Sequence, residues 1–256
     1  MRDFLTVSPS SLSVFYRCSQ AYKWQFIDER EPDVEGVATY TIFGTAFHRA
    51  MELHFKYGLG FDELKKVWRA LFISFCIDAK GLVFPNPKEL DLLLKKGIDQ
   101  LDNVVKMKCR WEKYSVFEVE KYVRLPYKNK FLKNVFLSGR IDLLLKDSDS
   151  FVCLDWKTSK TKEKNIDENV QLTFYNYFIR ELYKYQLDNI YGALVYPHDC
   201  DILFSQRSEE DFKKMLDSVD AMLERISKNV FNRDAKINMR LGDCFFCQYK
   251  KTCNSV

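Results

Sequence analysis

The sequence has no window of about 20 uninterrupted apolar residues, so no helical membrane span is expected. Its start, Met1-Arg-Asp-Phe-Leu-Thr-Val-Ser-Pro9, lacks a long apolar stretch with a small-residue cleavage site. That argues against a secretory signal and makes the cytoplasm the expected compartment. No Pro/Gly/Ser-rich linker, internal repeat or low-complexity tract interrupts the chain, which predicts one compact unit over 1–256. Charge of one sign is not in large excess: 40 basic and 36 acidic residues leave a net +4. A polybasic binder is thereby excluded, but a local basic groove is not, because a sum is silent about distribution. There is no G-x-x-x-x-G-K-[ST] loop, so any strand-unwinding motor must come from a partner. No helix-turn-helix or zinc-finger reader is visible either, and sequence-specific recognition is not expected.

What is present is a chain of 256 residues, 46% hydrophobic and 30% charged, enough for a substantial core. The aromatic share of 15% reads first as a usage bias toward Phe and Tyr, and only position can argue for base stacking. Ser8-Pro-Ser-Ser opens a helix predicted to run to Gln25. A second helix is expected over 44–57, where Phe47, Ala50, Met51 and Phe55 continue an apolar stripe that starts at Phe43. Residues 61–78 and 88–111 read as two more helices without a cluster of chemically useful side chains, a helical insert or cap spanning 59–114. From Ser115 the period changes to two. Strands are expected near 115–126, 131–138, 140–146 and 151–157, with Asp147-Ser-Asp-Ser as a turn. A helix over 167–185, strands near 189–196 and 200–206, and a helix over 208–228 follow. The order implies an α/β fold with a mixed central β-sheet flanked by helices, its sheet core at 115–206.

The densest chemistry lies in Ser138-Gly-Arg-Ile-Asp142-Leu-Leu-Leu and Val152-Cys-Leu-Asp155-Trp-Lys157-Thr-Ser. Both are apolar strands carrying charges, which is costly unless the charges are paired or bind a metal. Asp155 and Lys157 are two apart and project from one face, with Leu154 and Trp156 on the other. Asp142, on the neighbouring strand, can converge with them. Two carboxylates and a lysine in this setting suit divalent-metal phosphodiester hydrolysis: hard oxygens hold Mg²⁺ or Mn²⁺ and the lysine orients water or neutralises charge. A purely structural Asp155–Lys157 ion pair is the competing reading.

Asp142 with Asp155-x-Lys157 resembles the signature of the PD-(D/E)xK nucleases, and Gly-Arg-Ile-Asp with Asp-Trp-Lys-Thr is similar to the RecB/AddB branch. Phe43-Gly-Thr-Ala-Phe-His48 resembles the upstream helix of that branch, and Gln171-Leu-Thr-Phe-Tyr175 its Gln-x-x-x-Tyr motif. The resemblance covers about 8–58 and 115–256. It implies a restriction-endonuclease-like core, with His48, Asp142, Asp155 and the Trp156 carbonyl as metal ligands and Lys157 as the catalytic lysine. Gln171 and Tyr175, four apart on one helix face, would contact the substrate strand or hold the lysine. An acidic residue is often found where Glu120 stands, but Glu118 competes with it. His54 and His198 match nothing and read as ordinary packing or surface histidines.

Eight cysteines in a chain of this size point to metal ligation or burial rather than disulfides. Cys244-Phe-Phe-Cys247 and Cys253 form a C-x₂-C-x₅-C pattern that needs a fourth ligand. Cys76, Cys109 and Cys153 read as buried thiols, and Cys200, in a turn, stays open. Cys18 matches the remote N-terminal cysteine of the AddB-type pattern. Four thiolates suit either Zn²⁺ or a [4Fe-4S] cluster; the resemblance favours the cluster, held by the 240–256 region with Cys18 and stapling the chain ends. The run Lys157-Thr-Ser-Lys160-Thr-Lys162-Glu-Lys164 is either a solvated loop or a backbone-tracking strip, with Arg140 and Arg17 as weaker candidates.

The expectation is therefore a metal-dependent DNA exonuclease acting on single strands or DNA ends, with a helicase or integrase as a candidate partner and no membrane. A CRISPR-adaptation nuclease that trims precursors beside an integrase, and a non-catalytic DNA-end-binding module, are the alternatives.

Overall fold

The switch from helical to alternating patterning at Ser115 marks where helices give way to sheet. The computed structural model describes residues 4–33, 38–79, 85–237, 244 and 247–255. They fall into two compact units, one formed by 1–35, 123–139 and 208–256, the other by 36–122 and 140–207. Among the described residues no helix is long and apolar enough to cross a membrane.

In the first unit, β1 (Leu5–Val7) leads into α1 (Pro9–Arg17), opened by a Ser8–Ser11 capping box with proline in the first turn. The single helix expected over 8–25 is broken: Cys18 adopts an extended backbone (φ −162°), and α2 (Ser19–Tyr22) restarts after it before a π-helical turn at Lys23–Ile27. The strand expected at 131–138 starts later, because Asn129 Oδ1 accepts from the amides of Phe131 and Leu132, both at 2.9 Å, and draws those residues into the turn. The first half of β3 (Val135–Lys146) then pairs in parallel with β1, Thr6 opposite Phe136. Long α7 (Glu209–Ser227) starts on a Ser208–Asp211 capping box and three acidic residues, favourable at a helix N-terminus. Short α8 (Asp234–Ile237) and α9 (Lys250–Ser255) follow. The chain ends meet here: Ser19 Oγ donates to Asp234 Oδ2 at 2.6 Å, and Asp33 Oδ2 accepts from the Thr252 amide at 2.7 Å.

The second unit is built on a mixed sheet. Strand β2 (Ser115–Tyr127) pairs with β3, and β3 with β4 (Phe151–Trp156) in an antiparallel hairpin that sets Leu143 opposite Leu154. Asp147 Oδ1 accepts from the Asp149 and Ser150 amides and closes that hairpin. Helix α6 (Val170–Tyr183) carries the chain from β4 to β5 (Ile190–Tyr196), which runs parallel to β4, and β6 (Asp201–Gln206) returns antiparallel. Every residue of β4 is buried, as expected of a strand covered on both faces.

Helices α3 (Thr39–Tyr57), α4 (Phe61–Asp78) and α5 (Pro87–Met107) share one core with Leu143, Leu145, Val152, Leu154 and Trp156 of the sheet. The region read as an insert thus packs into the same core as the motif-bearing strands. Helix α3 begins five residues earlier than expected, which places Tyr40 and Phe43 on the helix that carries His48. At the centre of this layer Trp68, fully buried, stacks on Phe72 (5.4 Å, 10°) and meets Phe43 at 5.5 Å. Gly97 of α5 lies against the Trp68 ring so closely that a Cβ there would sit 2.2 Å from it.

Gly97→Ala should therefore lower stability. A helical Gly-to-Ala change gains about 1 kcal/mol, but overpacking a rigid buried indole costs about 1–3 kcal/mol. The clash is severe enough for the second effect to win. A fall of several degrees in the thermal midpoint, with Gly60→Ala as a control that meets nothing within 4 Å, is the expected result.

Candidate active site

Five elements of the second unit bring their polar side chains together. Helix α3 supplies His48, β2 Glu120, β3 Asp142, and β4 with its continuation Asp155 and Lys157; α6 adds Gln171 and Tyr175. Strand β4 does not stop its pairing at Trp156: the Lys157 amide donates to the Val195 carbonyl at 2.8 Å, so the lysine is held in sheet geometry.

Asp142 and Asp155 are 9% and 2% exposed. Asp142 Oδ2 accepts the Trp156 amide at 2.9 Å and lies 3.1 Å from His48 Nδ1. Asp155 Oδ2 faces the Lys157 ammonium at 2.6 Å but off the hydrogen-bonding direction, an attraction of charges rather than an aligned bond. Its Oδ1 accepts from Gln171 Nε2 at 2.6 Å. Gln171 in turn accepts from Lys157 Nζ at 2.8 Å and donates to Tyr175 Oη at 2.7 Å, and the Tyr175 hydroxyl donates to the Arg140 carbonyl. Lysine, glutamine and tyrosine thus form one directed chain around the buried carboxylate.

His48, Glu120 and Asp142 present ligand atoms within 4.8 Å of one another. One imidazole nitrogen and two carboxylate oxygens form a donor set suited to a divalent cation, with the imidazole favouring Mn²⁺ over the harder Mg²⁺. The residues present therefore fit a metal. Asp155, also expected among the ligands, lies outside this group of three and faces Lys157.

Glu120 resolves the competition with Glu118. Plain alternation would put both on one face, but Glu120 has a left-handed backbone (φ 52°), a re-aiming bend within the strand. Glu118 turns to Lys121 (2.6 Å) and Tyr183 (2.9 Å), while Glu120 turns to His48 and Asp142, with Arg140 at 3.7 Å. No sequence signal announces that backbone state.

The charges disturb one another. Burial works against the His48 imidazolium, but its bond to Asp142 and the charges of Asp142, Asp155 and Glu120 outweigh it and lift the pKa to about 9. Burial and Asp142 push Glu120 up to about 7. Asp155 is raised by burial and by Asp142, against the pull of Lys157.

Lys162 is engaged by Asp201 (2.9 Å) and Asp199 (3.4 Å), which removes it from a backbone-tracking strip, whereas Lys160 and Lys164 are exposed. His54 packs on Phe61 with Nδ1 2.6 Å from the Leu59 carbonyl, and His198 pairs with Asp199 at 2.6 Å. Cys76 and Cys153 are buried, but Cys109 is exposed, in the 3₁₀ turn Lys108–Arg110 that follows α5. Sequence reading missed Gln100, whose Nε2 donates to the Thr158 carbonyl at 3.2 Å, just after the lysine.

In the first unit Cys18, Cys244, Cys247 and Cys253 line one pocket with Arg17, Trp24 and Tyr249. Among the described residues no three of their sulfurs come within 4.8 Å of one another.

A buried acidic strand pair with its lysine, a mixed sheet and a three-residue donor set define the metal-dependent class of α/β nuclease folds. The family model of the PD-(D/E)XK nuclease superfamily matches residues 6–254, and the chain belongs to that superfamily. Among solved structures it is similar to that of SSO0001, with 10% identity, a TM-score of 0.40, and 97% of this chain and 86% of that one covered. It is also similar to protein VC1899 from Vibrio cholerae, with 11% identity, a TM-score of 0.26, and 87% and 55% covered. No curated protein matches.

Because His48 and Glu120 hold protons near neutrality, cation binding must release them. Calorimetric titration with Mn²⁺ at pH 7, in two buffers of different ionisation enthalpy, should show release of about one proton or more per ion. Affinity should rise from pH 6 to 8 as the ligands lose those protons. Proton-neutral, pH-independent binding would contradict the ligand assignment.

Proposed function

We propose that the chain is a metal-dependent deoxyribonuclease of the RecB/AddB type, acting on single-stranded DNA or DNA ends. The observation that carries this reading is the convergence of His48, Glu120 and Asp142 within one ligand shell, beside the buried Asp155–Lys157 pair. A divalent cation bound there supplies Lewis-acid polarisation of the phosphate and acidifies water. The chain's own residues do the rest. Asp155 holds Lys157 where its ammonium can orient the attacking water or neutralise charge developing on the phosphate. Gln171 fixes both partners through one amide, and Tyr175 anchors that amide to the Arg140 carbonyl.

The pocket lined by Cys18, Cys244, Cys247 and Cys253 would hold a [4Fe-4S] cluster, as the family resemblance implies, with zinc as the alternative. Burial, with neighbouring Cys18, Cys253 and Cys244, raises the Cys247 thiol, so a cation that claims the thiolate would relieve an unfavourable ionisation.

End-labelled single-stranded DNA incubated with Mn²⁺ should be degraded by the wild type. Asp155→Ala should abolish this, and Lys157→Ala should slow it by roughly a hundredfold or more. Wild-type rates in Lys157→Ala would remove the lysine from the mechanism. Binding without cleavage by the wild type would favour a DNA-end-binding module. For the cluster, anaerobically purified protein should be brown, and Cys247→Ala should lose the colour and much of its thermal stability. A colourless wild type that carries zinc by elemental analysis would overturn the cluster.

A further inference from the structure

Beyond the ligand group, the most unusual charge arrangement in the second unit lies at the other end of α3. Tyr40, in its first turn, is 72% exposed. Lys96 of α5 reaches over it, with Nζ 5.5 Å from the Tyr40 ring centroid and 4.7 Å from that of Phe43. Lys160, three residues beyond Lys157, is exposed and close enough that its charge acts on Lys96. Burial, together with that charge, holds the Lys96 ammonium below its ordinary pKa. Among the described residues neither lysine has a carboxylate partner. Packing explains one ammonium resting on Phe43. It does not explain a large exposed ring under that ammonium, with a second, exposed cation whose charge acts on the first.

Position gives the cluster a use. Tyr40, Gly44 and His48 follow one another at a spacing of four along one side of α3. Tyr40 and His48 are eight residues apart, so about 12 Å along the axis. That is about three to four phosphate steps of a stacked strand. Between them Gly44 offers bare backbone, the nearest atom to a Cβ built there being Thr158 Oγ1 at 3.4 Å. Gly44 and His48 also line the open cleft that Glu120 enters. A strand with one phosphate at the ligand group can therefore pass over Gly44 and reach the lysines.

We propose that Tyr40, Lys96 and Lys160 form a second binding site for the DNA strand, in which the Tyr40 ring stacks on an unpaired base and the two ammonium groups take its flanking phosphates. The site rests on the nuclease reading and adds a substrate contact outside the metal-binding and lysine-bearing motifs. It also gives the α4–α5 region a function, since Trp68 and Gly97 fix the turn of α5 from which Lys96 extends.

The test separates this site from the chemistry. Anisotropy of a fluorescein-labelled oligodeoxythymidylate of 12 nucleotides, in EDTA, reports binding without turnover. Lys96→Gln combined with Lys160→Gln should weaken 12-mer binding at least roughly tenfold and reduce the slope of log K against log salt by about 1.4, two phosphates at about 0.7 each. Tyr40→Ala should weaken it by about tenfold, with Tyr40→Phe restoring most of the loss. Mn²⁺-dependent hydrolysis of bis(p-nitrophenyl) phosphate, too small to span the two sites, should stay near wild type. Unchanged affinity and slope in the variants, with a wild type that binds and cuts DNA, would overturn the second site and leave the nuclease reading intact. Equal loss on the small diester would overturn it as well, by tracing the effect to the reaction centre. A wild type that neither binds nor cuts any strand would overturn both.

Discussion

Two carboxylates buried on neighbouring strands constrain everything around them. An ionised carboxylate withdrawn from water costs several kcal/mol unless partners replace the lost solvation, and Asp142 and Asp155 must be compensated at once while repelling each other. Their compensators come from different elements: the Trp156 amide from the sheet, His48 from α3, Lys157 from the end of β4, and Gln171 from α6. The electrostatics of the pair thus fix how α3 and α6 meet the sheet within this unit. Compensation is incomplete. Glu120 joins the same group and is pushed up to about 7, so the metal-free site holds protons that a divalent cation would replace with a stronger counter-charge. A site adjusted only for stability would have one carboxylate fewer.

The network around Lys157 has a direction that follows from donor and acceptor counts. A lysine ammonium only donates, so Gln171 must present Oε1 to it. The amide nitrogen is then turned toward Asp155 and Tyr175, and both of its protons are used. Tyr175, having accepted one bond from Gln171, gives its proton to the Arg140 carbonyl, leaving only a 3.5 Å approach to Asp155. No member of the chain can reverse without stranding another, and burial makes a stranded polar group expensive. The lysine is in this way held to one geometry by groups that need never touch the substrate.

Much of this was legible in the sequence, for definable reasons. Asp155 and Lys157 are two apart on a strand, Gln171 and Tyr175 four apart on a helix, and local periodicity alone orients such pairs. The mixed sheet followed from the change of period at Ser115 and from the hairpin signal at Asp147. What was not legible depends on backbone states or on partners distant in the chain. Glu118 and Glu120 look equivalent to any period-two argument, and only the left-handed φ of Glu120 separates them. That state strains a glutamate by about 1–3 kcal/mol, the kind of strain that surrounding structure sustains at functional positions. The start of α3 was set too late because Thr39 to Phe43 has neither a capping side chain nor an acidic first turn to announce it. Cys109 falls within an apolar pattern, but the 3₁₀ turn after α5 points it to solvent while Met107 and Trp111 on either side stay buried.

The helices over 61–111 show why a stretch without motifs can still belong to a site. Their sequence offers stripes of Leu, Phe and Trp and scattered lysines, which describe packing and a solvated face equally well. Their consequence is geometric. Trp68, locked between Phe43, Phe72 and Gly97, fixes how far α5 lies from α3, and a 1.5 Å rise per residue then decides which α5 side chains reach the active-site end. Gln100 is carried to the Thr158 carbonyl, and Lys96, one turn earlier, to the aromatic pair at the start of α3. Neither residue is marked by its neighbours in sequence, because each acts through a distance that the buried indole sets. Packing in this layer and polar contacts beside the lysine strand are one constraint, and a change at Gly97 would be felt at both.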